Sequence, residues 1–184
     1  MIGHSARLLS CPRNQEVPSF GTLRVVEESD MIDIADELGE HPFFESLDSE
    51  TIALIAGCGS HAVYKPDEQL ATESASADEF FVIKKGRVAL EIHSTERGTR
   101  QLETLDSGDI LGWSWLVPPY RWPHEARAVQ TVRTIRVDGR CLRRKCDADP
   151  ALGYELMKRF AALISTRLDA TRLQMLDLYG KLEV

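Results

Sequence analysis

The residues with the most chemistry to offer are gathered in one stretch, Gly108 to Ala128. It holds all three tryptophans of the chain, Trp113, Trp115 and Trp122, together with Gly108, Gly112, Pro118, Pro119, Pro123 and the neighbours His124 and Glu125. Indole faces stack on planar or apolar ligands and on cations. Gly108 and Gly112 permit backbone conformations or close approaches that a side chain would block, and Pro118-Pro119 stiffens the loop between them and Trp122. The stretch reads as the wall of a ligand pocket. It reads as well as aromatic filler closing the end of a β-core, where large rings cover the most area.

Catalytic chemistry finds less support. His124 and Glu125 have the right types for acid-base work, but a loop histidine beside a glutamate is far more often a surface pair. His4, His41, His61, His93 and His124 form no HxH pair, and Glu91-Ile-His93 alone is not a ligand set, so no metal is expected. There is no GxSxG elbow and no serine or cysteine with a base nearby in sequence. No catalytic residue is assigned, and the chain is not read as an enzyme. Its four cysteines, Cys11, Cys58, Cys141 and Cys146, show neither a CxxC pair nor finger spacing, which predicts reduced thiols in a cytoplasmic protein. A formal charge of −7 argues against a nucleic-acid surface, and the one basic run, Arg140-Cys-Leu-Arg-Arg-Lys145, reads as a solvated loop. No apolar run approaches the roughly 18 residues of a membrane span.

These residues need a frame to hold them. Residues 1–28 lack any period and read as a leader, with Thr22–Val26 as a possible edge strand. Ser29 or Asp30 can cap a helix ending at Gly39, and Asp48 or Ser49 a second that ends near Gly57. Within the unit 29–148, eight β-like runs lie between turn signals: 62–64, 69–72, 79–83, 88–92, 100–104, 109–111, 125–129 and 132–137. This predicts a mainly β fold with flanking helices, a jelly-roll or double-stranded β-helix roll of about eight strands. From Asp149 to the end at 184, Pro150 opens a helix whose apolar residues keep helical spacing almost to Gly180. At about 1.5 Å per residue such a helix outruns so small a roll. Its second half is expected to pair with the same helix of a second copy, making a homodimer.

Over residues 43 to about 178 the chain resembles the cyclic-nucleotide-binding domains of the catabolite-activator and Fnr type. Phe43-Phe-Glu-Ser-Leu-Asp48 is similar to the family's F-x-x-L entry. Tyr64-Lys-Pro-Asp-Glu-Gln-Leu-Ala-Thr-Glu73 and Phe80-Phe-Val-Ile-Lys-Lys-Gly-Arg-Val88 look like its first strands and glycine turn, and Ser107-Gly-Asp109 like the run into the nucleotide cassette. The resemblance implies a β-roll whose cassette reports ligand occupancy to the long helix.

It also implies where this chain departs. The family's cassette opens on Phe-Gly-Glu, whose amides hold the cyclic phosphate and whose glutamate binds the ribose; here it reads Leu111-Gly112-Trp113, followed by Ser114. The family's phosphate arginine stands five residues before the arginine matched by Arg127, and Trp122 occupies that place; a loop one residue shorter would let Arg121 take the role. Two turn glycines are replaced by Asp67 and Ser74. The expectation is a stand-alone regulatory or sensor module that does not bind cAMP in the usual way, with pocket candidates Leu111, Gly112, Trp113, Ser114, Arg121, Trp122 and Arg127. Alternatives are a protein-interaction scaffold with a collapsed pocket, and a genuine cyclic-nucleotide binder using Arg121. The family's helix-turn-helix has no counterpart before Val184, so no direct DNA binding is expected, and a resident cofactor stays unknown.

Overall fold

The computed structural model describes residues 28–94 and 98–180. The leader and the possible strand Thr22–Val26 lie outside the described residues. Helix α1 (Glu28–Gly39), a 3-10 turn (Pro42–Phe44) and α2 (Ser49–Ala56) precede the β-region, and α3 (Gly139–Ala148) and α4 (Pro150–Gly180) follow it. Between them run β1 (Gly59–Tyr64), β2 (Gln69–Ala71), β3 (Glu79–Lys85), β4 (Val88–Ser94), β5 (Gly98–Leu105), β6 (Ile110–Leu111), β7 (Glu125–Ala128) and β8 (Val132–Asp138).

The strands form two four-stranded antiparallel sheets, ordered β1-β8-β3-β6 and β2-β7-β4-β5. Each of the eight β-like runs of the sequence lies at a strand, and the fold is the expected β-roll. The period-two pattern decides which residues face inward: β7 buries Ala126 and Ala128 completely while Glu125 and Arg127 stay half-exposed. Two apolar compartments result. One lies inside the roll and contains Phe81, Ile83, Val88, Leu105, Leu111 and Trp122. The other lies between the first sheet and the helices and contains Ile34, Phe44, Phe80, Trp115, Leu156 and Phe160.

Local chemistry explains the helix ends. The Asp48 carboxylate caps α2 by accepting the Thr51 amide at 2.7 Å, and Asp149 accepts the amides of Ala151 and Leu152 ahead of α4. The basic run read as a loop is instead helix α3, capped by Asp138, which accepts the Cys141 amide at 2.9 Å. Its charges misled the reading because an amphipathic helix on this core needs only Gly139 and Leu142 fully buried. The reduced-thiol expectation also changes: Cys58 and Cys141 are paired, their Cα atoms 5.9 Å apart across 83 residues of sequence. No sequence spacing could announce that pair, since the roll's topology makes it.

At the places where the sequence carries Asp67 and Ser74, the backbone keeps positive φ, 69° and 64°. The left-handed turns therefore survive without glycine, at a cost of about 1 kcal/mol each. Helix α4 runs 31 residues without interruption, about 46 Å. Leu152, Leu156 and Phe160 are buried, whereas Met157, Leu168, Leu173, Met175 and Leu176 are 45–66% exposed. Among the described residues no helix is long and apolar enough to cross a membrane.

Candidate functional site

The Gly108–Ala128 stretch wraps over the open edge of the roll. It leaves β3 through β6, where Phe81 pairs with Leu111 and Val82 with Ile110, and Gly108 is tied to the N-terminal connector by His41, whose Nε2 lies 2.9 Å from the Gly108 carbonyl oxygen. It returns along the turn after β2. There Trp122 donates its amide to Ala75 at 3.0 Å and accepts from Ser74 at 2.8 Å, while Ala77 donates to Tyr120 at 2.8 Å. Ser76 and Arg121 bridge this short antiparallel pairing.

The pairing sets the direction of every side chain on the return. Neighbouring residues of an extended strand face opposite sides, so Trp122 enters the roll and Arg121 leaves it. Trp122 is 7% exposed and stacks on Phe81, ring centroids 6.3 Å apart. Arg121 is exposed and donates from Nη1 to the Ser74 carbonyl at 2.7 Å. The indole lies directly on Gly112: a Cβ added there would come within 2.5 Å of Trp122 Cη2, and Gly112 has a φ of +95°. Both space and backbone demand glycine at this position.

The other tryptophans play different parts. Trp115 is wholly buried in the helical compartment, stacked on Phe80 at 5.2 Å and edge-on to Phe160 at 5.6 Å. Trp113 stands at the rim with 36% of its surface exposed. Leu111 is buried inside the roll, and Ser114 is 4% exposed beneath the loop. Arg127 is on the far side of the sheet, where Nε and Nη2 grip Glu91 at 3.0 and 2.5 Å and Nη1 reaches Asp67 at 2.7 Å. That hydrogen-bonded grip holds the Glu91 carboxyl below the usual carboxylate range and raises the arginine. Thus Leu111, Gly112 and Trp122 converge, Trp113 and Ser114 flank them, and Arg121 and Arg127 point elsewhere.

Two arginines not named as site residues from the sequence, Arg143 and Arg167, fasten the stretch to the helices, and a third, Arg159, ties α4 to the N-terminal 3-10 turn. Arg143 of α3 donates to the Trp115 carbonyl at 2.5 Å and to Asp78 at 2.9 Å, and its guanidinium lies 4.4 Å from the centre of the Tyr120 ring. Arg167 of α4 donates to the Ile110 carbonyl at 2.5 Å, and Arg159 to that of Phe43 at 2.8 Å. Partners separated by 28 to 116 residues leave no local signal in the sequence. Among the described residues, one concavity of about 500 Å³ lies outside the second sheet around Glu91, His93, Glu125 and Arg127, and another of about 440 Å³ lies between α2 and the start of α4. Neither is at Gly112. Among the described residues no cluster of histidine, cysteine or acidic side chains could hold a metal.

The family model of the cyclic nucleotide-binding domain matches residues 61–149. The chain has the fold of a cyclic nucleotide-binding domain. A Geobacter metallireducens protein named for cyclic nucleotide binding is 29% identical and superposes with a TM-score of 0.67, covering 73% of this chain and 97% of its own. A cyclic nucleotide-binding domain from Methylobacillus flagellatus has the same fold at 17% identity and a TM-score of 0.67, over 80% of this chain and 83% of its own. The catabolite activator protein of Thermus thermophilus also shares it, at 20% identity, a TM-score of 0.59 and coverages of 76% and 63%. No curated protein sequence matches the chain. The segment that resembles the family's cassette runs from Leu111 to Trp122, and α3 and then α4 follow the roll.

Proposed function

We propose that this domain is a non-catalytic, cytoplasmic regulatory module whose cassette is plugged by its own Trp122 and which works through its helices and surface rather than by binding a cyclic nucleotide. One observation carries the reading, the Trp122 indole seated on Gly112. An incoming phosphodiester would have to displace that ring, and the arginine that shares the inward face with Phe81, Arg136, is already paired with Glu79 at 3.4 Å. A buried anion lacking a partner is strongly disfavoured. Arg121, the one arginine near enough in sequence to serve, is committed outward to Ser74.

The partner is a second copy docked along α4. Met157, Ala161, Ile164, Leu168, Thr171 and Met175 recur at alternating spacings of four and three, the seam of a two-helix coil, and Met157, Leu168 and Met175 are exposed. Direct DNA contact is not part of the reading, given the charge of −7. Titration calorimetry with cAMP and cGMP tests the plugged cassette: no saturable heat is expected up to millimolar nucleotide, and micromolar binding would overturn the proposal. Light scattering of wild type and of Leu168→Glu tests the dimer, with a monomeric wild type counting against it.

A further inference from the structure

We infer that Cys58 and Cys141 form a reversible redox modification site that latches α3, and through it the cassette, to the joint between α2 and β1. The inference does not depend on whether the cassette takes a ligand.

The two residues are held in position by contacts other than the bond. Cys58 is 8% exposed, between the end of α2 and the start of β1. Its carbonyl accepts the Asp138 amide at 2.8 Å, and the Asp138 carboxylate in turn caps the Cys141 amide. Helix α3 is held independently by Arg143 on Trp115 and Asp78, and by Lys145, which donates to the Leu54 carbonyl at 2.5 Å. The reduced thiols thus stay facing each other, with a Cα separation of 5.9 Å that matches ordinary disulfides. A chain of 184 residues has core enough to fold without a staple, and disulfides in reducing compartments are characteristically transient and sensing.

Cys141 is the entry point. It is half-buried where Cys58 is buried, and it lies in the first turn of α3, where backbone amides favour a thiolate. Its thiolate attacks one sulfur of a small-molecule disulfide, RSSR, forming a mixed disulfide and releasing one RSH. The Cys58 thiolate then attacks the Cys141 sulfur and expels the second. The protein dithiol gives up two electrons, RSSR is reduced to two RSH, and the two thiol protons end on those products. Arg143 stands two residues beyond Cys141 with the Trp115 carbonyl in its grip, so closing the bond restrains the cassette as well as α3.

The full chain, equilibrated in graded mixtures of reduced and oxidised glutathione, tests this by alkylation mass mapping, melting and hydrogen exchange. Cys58 and Cys141 should lose alkylation together and regain it with dithiothreitol. The oxidised form should melt roughly 5–15 °C higher, and exchange over residues 113–121 and 139–148 should slow several-fold. Cys146→Ser should leave the transition in place. Cys58→Ser and Cys141→Ser should each fix the reduced behaviour; if they fail to fold, reduced and alkylated wild type supplies that arm. A pair that never closes across the series, one that resists reduction in the folded protein, or one whose closure leaves cassette exchange unchanged would each overturn the inference.

Discussion

The two faces of the sheet β2-β7-β4-β5 are chemically opposite. Inside, Ala126, Ala128, Val88 and Leu90 pack with Trp122 in one apolar cluster. Outside, on the alternate residues of the same strands, Arg127 is forked onto Glu91, and Glu125 lies 2.8 Å from His93, which is in turn 2.7 Å from Thr99. The same strands therefore carry two chemistries, one on each face. Polar pairs lie on the solvent side of this sheet, while its inner face is covered by apolar side chains.

The contrast can be broken at graded cost. Trp122→Ala should remove the plug and cost about 3–5 kcal/mol in denaturant unfolding; if stability is unchanged, the indole is not filling the roll. Because the vacated space is apolar, the variant should bind indole and still fail to bind cAMP. Gly112→Ala sets a Cβ against Trp122 at a φ of +95° and should cost about 2–3 kcal/mol. On the outer face, Glu91→Gln should cost only about 1 kcal/mol, because Arg127 is partly solvated. Its pH signature is sharper. The Glu91 carboxyl is lowered by the Arg127 hydrogen bond, so its contribution is present above the unfolded carboxylate pKa and is lost as pH falls through the folded value. Melting followed from pH 6 down to 3 should therefore show a shallower decline in the variant. The smallest effect belongs to Ser74→Gly, which should relieve the left-handed turn and gain about 0.5–1 kcal/mol.

The roll was legible because alternation is written into each strand: Glu125-Ala126-Arg127-Ala128 announces its own inner and outer faces. That Gly112 and a tryptophan meet was legible only as a shared stretch of sequence. The tryptophans' assignment to one wall was not, since Trp115 and Trp122 belong to different compartments, and only the pairing of Ser76 with Arg121 decides which way the return points. The arginine clasps and the Cys58–Cys141 pair were hidden for a common reason. They join positions remote in sequence, and a single arginine or cysteine carries no local mark of its partner. The α3 helix was obscured by its charge, because the solvent-facing side of an amphipathic helix and a solvated loop have much the same composition.

The bridge between Ser76 and Arg121 makes the parity of the cassette's length a chemical variable. Side chains alternate across that bridge, so one residue more or fewer between Gly112 and Tyr120 would exchange the inward and outward positions. Arg121 would then be aimed at the amide of Gly112, and Trp122 at solvent. A single codon inserted or deleted in this loop is a short route between an inward indole and an inward guanidinium.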